Sequence, residues 1–517
     1  MMPNRRNFMQ TASAAAIAAA FPAGAWAQSG KAPGSYSTAR ELAAALAAKD
    51  VSSLELANAA IARIEALDGK LNAVVVRDFE RARAAAKEAD AALARGERRP
   101  LLGVPMTVKE SFNIAGLPTT WGFPEAKGKL VAEDALLVSR LKAAGAIVLG
   151  KTNVPIRLSD FQSYNDVYGQ TNNPWDVTRT PGGSSGGAAA ALAAGFVPIE
   201  LGTDIGGSLR NPAHFCGVFA HKPTHALLPL RGHVPPGAPT LPVQVDLSVA
   251  GPMARSAADL AVALDILAGP DEPLSVAYRL ELPKPRHERL RDFRALLIDT
   301  HPLLPTGAAV RGALDRFAEG LGKVGVNVAR SSPLLPDLDL AARTYFSLLY
   351  SFFSADLPNE AYEYLRNAAA GIPADVDDLD ARSSRGLVLS HRDWIRADRV
   401  RNGMAARFRA LFRQFDVLVC PVMPTPAFPH DHGPDWRSRR IDIDGTPHRY
   451  SYQAVWAGVA TLTGQPATAI PLERSEQGLP VGVQIVGPYL EDRTTLAFAE
   501  LAEREFSGFV APPGYAG

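Results

Sequence analysis

A run of six small residues, Gly182-Gly183-Ser184-Ser185-Gly186-Gly187, passes directly into Ala188-Ala189-Ala190-Ala191-Leu192-Ala193-Ala194. Alanine and leucine favour helix strongly, so the small residues form a loop that feeds a helix N-terminus. The partial positive charge at that end of a helix then lies close to both serines. The glycines leave this loop free to hold a strained peptide bond.

Two further segments carry matching chemistry. Lys109 closes Gly103-Val104-Pro105-Met106-Thr107-Val108-Lys109 and precedes Glu110, while Ser208 lies in Asp204-Ile205-Gly206-Gly207-Ser208-Leu209-Arg210. A serine hydroxyl is a poor nucleophile until a base takes its proton, and a lysine serves as that base only when its pKa is lowered. The apolar neighbours Leu101, Leu102, Val104 and Val108 favour the neutral lysine. Side chains alternate along a strand, so Glu110 is expected to face away from Lys109 if the strand reaches that far. Around Ser208, Gly206 and Gly207 permit positive φ and a row of exposed N–H groups, suited to the negative oxygen that develops when a carbonyl is attacked. Asp204 and Arg210 flank the row and are expected to orient it through hydrogen bonds or an ion pair, with Ser185 in support beside Ser184. Base, hydroxyl relay and nucleophile together point to acyl transfer. Spacing alone does not say which serine attacks.

Rival readings exist for several of these segments. Taken alone, the loop at 182–187 reads equally well as a flexible connection. Gly182-Gly183-Ser184-Ser185-Gly186 also fits the G-x-S-x-G nucleophile elbow, but that elbow follows an apolar strand. Here Asn173-Pro174-Trp175-Asp176-Val177-Thr178-Arg179-Thr180-Pro181 precedes it and reads as loop. No Gly-Lys-Ser/Thr follows the glycines, which excludes a phosphate-binding loop. His430-Asp431-His432 lies among Pro429, Gly433 and Pro434, with no regular element to fix it as a metal site. His214, His221 and His225 are read as structural hydrogen-bonding residues.

The three segments resemble the amidase signature family, serine hydrolases with a Ser-cisSer-Lys triad. The separations of Lys109, Ser184 and Ser208 match that family, and the likeness extends through Gly150-Lys151-Thr152-Asn153, Gly169-Gln170-Thr171-Asn172-Asn173-Pro174-Trp175 and Gly251-Pro252-Met253-Ala254-Arg255-Ser256. Gly478-Leu479-Pro480-Val481-Gly482-Val483-Gln484-Ile485-Val486-Gly487 looks like the family's closing strand, and the middle third is the least recognisable part. The resemblance implies that Ser208 is the nucleophile, that Ser184 carries a cis peptide bond and relays the proton, and that Lys109 is the ultimate base. It implies an oxyanion hole made by the backbone N–H groups of Ile205, Gly206, Gly207 and Ser208, and a large mixed β-sheet. Such a mechanism needs neither cofactor nor metal.

At the N-terminus, Asn4-Arg5-Arg6-Asn7-Phe8-Met9 is a twin-arginine motif, followed by an apolar run from Ala14 to Phe21 and by Ala25-Trp26-Ala27. Charge, a short apolar core and A-x-A in that order make residues 1–27 a signal peptide, too short to span a membrane. The expectation is export through the twin-arginine (Tat) machinery to a bacterial periplasm, with the mature chain beginning near Gln28. With 47% hydrophobic and 21% charged residues, and no later apolar run long enough to span, the rest can bury a large core without stable membrane insertion. A formal net charge of +1 argues against nucleic acid as the main partner. Cys216 and Cys420 sit in apolar contexts and are read as buried free thiols.

No linker, charge block or internal repeat divides residues 28–517. Amphipathic helices fill residues 37–94, broken by Asn72-Ala73-Val74-Val75-Val76. Strands are then expected at 104–108, 146–149, 295–298, 324–328, 417–419 and 481–486, with helices at 132–143, from 188, after 256 and at 306–322. This alternation gives a single α/β domain with helices on both faces of the sheet. Residues 331–450 are assigned to specificity. The aromatic stretch Thr344 to Phe353 is read chiefly as helix core, with a minority of rings available to an apolar acyl pocket. Pro421–Pro429 is read as a proline-rich loop after a strand, and Trp436 as part of another loop able to cover a cleft. The expected activity is hydrolysis of a small-molecule carboxylic amide to an acid plus ammonia or an amine, through an acyl-serine. The alternatives are a transamidating subunit that passes ammonia to a charged tRNA, an idle binding relative, or a hydrolase of esters or carbamates.

Overall fold

The computed structural model describes residues 33–516 except residues 243, 273, 436 and 507. Residues 1–27, expected to be a signal peptide, and Trp436 therefore lie outside the described residues.

The chain enters through helices Ala39–Ala48, Ser53–Leu67 and Phe79–Ala94. Thr38 with Glu41, and Ser52 with Glu55, form reciprocal capping boxes that satisfy the first free N–H groups of the first two helices. Eleven strands then build one sheet: β1 (Val74–Arg77), β2 (Pro105–Lys109), β3 (Ile147–Thr152), β4 (Ile199–Asp204), β5 (Phe219–Lys222), β6 (Val249–Ala254), β7 (Arg294–Leu297), β8 (Asn327–Ala329), β9 (Val417–Pro421), β10 (Ala467–Arg474) and β11 (Pro480–Val486). Their spatial order is β1-β3-β2-β4-β6-β5-β10-β11-β9-β7-β8. The pairs β3/β2, β2/β4, β9/β7 and β7/β8 are parallel. The others are antiparallel.

Alternation along β7 and β9 sorts side chains into two cores, one on each face. Ala295, Leu297, Val417 and Val419 join one apolar cluster, with Val310, Leu314 and Phe317 of helix Ala308–Lys323. Leu296, Leu418 and Cys420 join the other, with Tyr345 and Phe346 of helix Leu338–Phe353, Phe408 and Phe412 of His391–Gln414, and Trp456 of Ala454–Thr461. The mixed α/β sheet with helices on both faces is thus present. Cys216 and Cys420 are both buried and free. Among the described residues, no helix is long and apolar enough to cross a membrane.

Several boundaries differ from the sequence expectation. The helix expected at 132–143 begins at Leu136, because Ala135 N–H is given to Asn113 O and Asp134 Oδ1 accepts from Ala115 N. The strand expected at 324–328 begins at Asn327, since Val324 N–H still closes the preceding helix on Gly320 O. Four central strands, β4, β5, β6 and β10, have no counterpart in the sequence expectation. Gly202, Gly251, Pro252 and Pro471 weaken strand propensity inside three of them, and pairing on both sides overrides it.

Ile485 in β11 is fully buried. Ile485→Ala should cost about 2–5 kcal/mol and lower the denaturation midpoint, whereas Leu130→Ala at an exposed position should stay within about 0.5 kcal/mol. Urea titration of the purified variants reads both.

Candidate active site

Strands β2 and β4 run side by side and parallel, with Thr107 opposite Glu200 and Val108 opposite Leu201. Their C-terminal ends therefore emerge together. Lys109 is the last residue of β2, and Asp204 is the last of β4. Beyond Asp204 the chain turns through residues 205–209 into helix Arg210–Cys216. Helix Gly186–Ala193, buried along its whole length, brings its N-terminus and the preceding serines to the same place.

Lys109 Nζ lies 2.7 Å from Ser184 Oγ and 2.8 Å from Thr203 Oγ1, with the lysine fully buried. The peptide bond between Gly183 and Ser184 is cis. Ser185 N–H donates to Ser208 O at 3.2 Å, and Ser185 Oγ to Thr203 O at 3.3 Å, so the two serine loops are tied backbone to backbone. Lys109 is 0% exposed, Ser184 1% and Ser208 7%, so the three side chains step outward from the interior in that order. Gly183 has to be glycine: a Cβ there would sit 2.4 Å from the carbonyl oxygens of Asp160 and Gln162.

The strand ends at Lys109, one residue short of Glu110, so alternation does not set the direction of that carboxylate; its two oxygens accept from Thr120 N and Trp121 N. Other carboxylates do neighbour the lysine. Burial lowers the Lys109 pKa from its ordinary value to about 7, against the raising effect of Asp204 and Glu200. Burial pushes Glu200 up to about 8, so this neighbour is largely protonated at neutral pH and opposes Lys109 neutrality only weakly.

Asp204 and Arg210 form the expected ion pair, at 2.8 Å and almost wholly buried. Burial by itself would raise the Asp204 carboxyl, but the adjacent guanidinium holds it below the usual carboxylate range. The same carboxylate accepts from Gly207 N at 2.9 Å and Leu209 N at 3.1 Å. Arg210 in turn donates to Thr461 Oγ1, Gln484 Oε1 and Ala457 O. Of the two glycines expected to take positive φ, Gly207 does so at +97° and Gly206 does not. The Gly207 N–H is directed at Asp204, so it reaches an oxyanion only by sharing its hydrogen between two acceptors. The N–H groups of Ile205, Gly206 and Ser208 take no part in the hydrogen bonds described for this loop.

Sequence reasoning missed Thr203, Glu200, Asn211 and Tyr345. Asn211 brackets the first serine loop, accepting from Gly183 N at 3.0 Å and donating to the carbonyls of Gly183 and Gly207. Its position beside Arg210 was the available signal. His214, His221 and His225 all make hydrogen bonds within the fold. His432 stacks on Tyr164 at 3.7 Å, and no group of three or more metal-binding side chains occurs among the described residues.

The amidase family model matches residues 55–496. The chain belongs to the amidase signature family. A glutamyl-tRNA(Gln) amidotransferase subunit from Anaeromyxobacter sp. (strain K) is 35% identical to it over 507 residues, covering 92% of this chain and 97% of that protein. A solved amidase is 30% identical, covering 91% of this chain and 100% of its own, with a TM-score of 0.71. A chain from a vestigial protein complex, solved with an inhibitor in work on the origins of an s-triazine catabolic enzyme, is 32% identical. It covers 92% of this chain and 100% of its own, with a TM-score of 0.75. Enzymes of this family hydrolyse carbon–nitrogen bonds in amides.

In this amidase-signature chain, Asp204→Ala leaves the Arg210 guanidinium buried and uncompensated. It should lose about 3–5 kcal/mol of stability, read as a lower urea midpoint. Asp78→Ala, which removes a partly exposed ion pair, should lose no more than about 1 kcal/mol.

Proposed function

We propose that this protein is an exported amide hydrolase that works through a Ser208 acyl-enzyme, with Ser184 as proton relay and Lys109 as base. The observation that carries the reading is the 2.7 Å approach of a fully buried lysine to Ser184, beside the Ser208 loop, whose Ile205, Gly206 and Ser208 N–H groups take no part in the hydrogen bonds described for it. Neutral Lys109 takes the Ser184 proton as Ser184 takes that of Ser208, and Ser208 Oγ attacks the amide carbon. The N–H groups of Ile205, Gly206 and Ser208, with Gly207 in a shared role, receive the developing negative oxygen. The proton then returns along the same path to the leaving nitrogen, which departs as ammonia or an amine, and water later hydrolyses the acyl-serine. Ser185, Asp204 and Arg210 hold the two loops. Residues 331–450 supply the acyl pocket and therefore the choice of substrate.

The likeness to an amidotransferase component favours a second reading, in which the released ammonia serves a transfer to tRNA. The twin-arginine segment favours the first, since an exported chain is separated from tRNA. Incubation of the isolated mature chain with a panel of alkyl and aryl amides and with glutamine decides between them. Turnover of the panel supports the stand-alone hydrolase; activity on glutamine alone supports the amidotransferase reading.

Ser208→Ala should cut turnover by about a thousandfold or more and abolish labelling by a fluorophosphonate. Labelling that persists at another serine with activity retained would remove Ser208 from this role.

The pH dependence follows from the state of Lys109. Protonated lysine accepts nothing, so kcat/KM on an amide should rise with pH along an acid limb near 7, where burial places this group. Lys109→Ala should lose that limb and about 10²–10⁴-fold in kcat on an amide. The loss on a matched nitrophenyl ester should be smaller, because a phenolate leaves without being protonated. Equal losses on both would exclude proton return by Lys109.

A further inference from the structure

Tyr345 is fully buried on helix Leu338–Phe353, in the region assigned to specificity, yet its hydroxyl reaches the Ser208 loop. Tyr345 Oη donates to Ile205 O at 2.7 Å, a full-strength O–H···O bond. Its ring closes on helix Ala454–Thr461 at Gly458, where a Cβ would lie 2.7 Å from Tyr345 Cδ1. The same helix supplies Ala457 O to Arg210 Nη1. The tyrosine is thus held between two elements that both support the loop.

The peptide linking Ile205 to Gly206 is trans, because the cis bond described here is at Gly183–Ser184. In a trans peptide the C=O and N–H vectors point in opposite directions within one rigid plane. Fixing the Ile205 carbonyl on Tyr345 therefore also fixes the direction of the Gly206 N–H, away from the tyrosine. Asp204 holds the loop further on, through the N–H groups of Gly207 and Leu209. Neither of those bonds restrains the Ile205–Gly206 plane.

We infer that Tyr345 is a positioning residue: its hydroxyl anchors the Ile205 carbonyl and so aims the Gly206 N–H at the negative oxygen of the tetrahedral intermediate. The inference rests on the proposed acyl-serine reading. Burial raises the phenol pKa, so the hydroxyl remains a donor across the working pH range.

Tyr345→Phe removes the hydroxyl and keeps the ring. Butyryl-4-nitroanilide and 4-nitrophenyl butyrate serve as a matched amide and ester. The variant should lose about tenfold in kcat on both probes, by the same factor, with KM changed by less than about twofold. The acid limb of the pH profile should stay in place, and the urea midpoint should fall only by the small amount that loss of one buried hydrogen bond brings. The bimolecular rate of fluorophosphonate labelling should fall with kcat. Gly458→Ala, which pushes on the ring from behind, should give the same equal loss on amide and ester. Unchanged kcat, a loss confined to KM, or a loss confined to the amide would overturn the assignment. Absence of fluorophosphonate labelling at Ser208 in the unaltered protein would overturn the acyl-serine reading itself.

Discussion

Asp204 and Arg210, joined at 2.8 Å and shut away from water, determine the shape of the chain around Ser208. Burying two charges costs several kcal/mol per ion unless their remaining hydrogen-bonding capacity is filled. Here it is filled: the carboxylate takes two loop N–H groups, and the guanidinium reaches Thr461, Gln484 and Ala457. Those partners belong to helix Ala454–Thr461 and to β11, far along the chain from the loop they hold. The turn after β4 is consequently a product of the whole C-terminal half. It cannot shift without exposing an unpaired charge to an apolar interior.

A second constraint acts on the lysine. Its burial at the end of β2 works against the ammonium form, while Asp204 works in its favour. The outcome near neutrality depends on both, and on Glu200 holding its own proton. Two acids lie close to one base, and their opposite protonation states follow from their partners: Asp204 has an arginine, and Glu200 has none. Environment assigns the roles, in the sense that neighbouring ionisable groups with diverging pKa values take different parts in proton transfer.

Much of this is legible in the sequence, because the loops around Ser184 and Ser208 announce themselves through glycine and serine, and the apolar lead into Lys109 foretells its burial. Helices are readable where an apolar stripe repeats, as in Ser53–Leu67 and Ala308–Lys323. The central strands β4, β6 and β10 are not, since glycine and proline erase the propensity signal and only flanking strands make them extended. Thr203, Glu200 and Tyr345 escape for a different reason. Their importance lies in which distant atom each side chain meets, and a threonine, a glutamate or a tyrosine in isolation carries no mark of that. The aromatic stretch is helix core, as its pattern implies, yet Tyr345 performs that packing while its hydroxyl contacts the loop.

Helix Gly186–Ala193 has no solvent-facing side: all eight of its residues are buried. A helix with one wet face can fray or lift as a local unit, with an opening free energy well below that of the whole protein. This one has no such route, because moving it would open the core on every side at once. Its backbone amides are therefore placed to exchange with solvent only through disruption on the scale of the whole domain. The serines at its N-terminus inherit that property, so the geometry of the site and the integrity of the fold are lost in the same event.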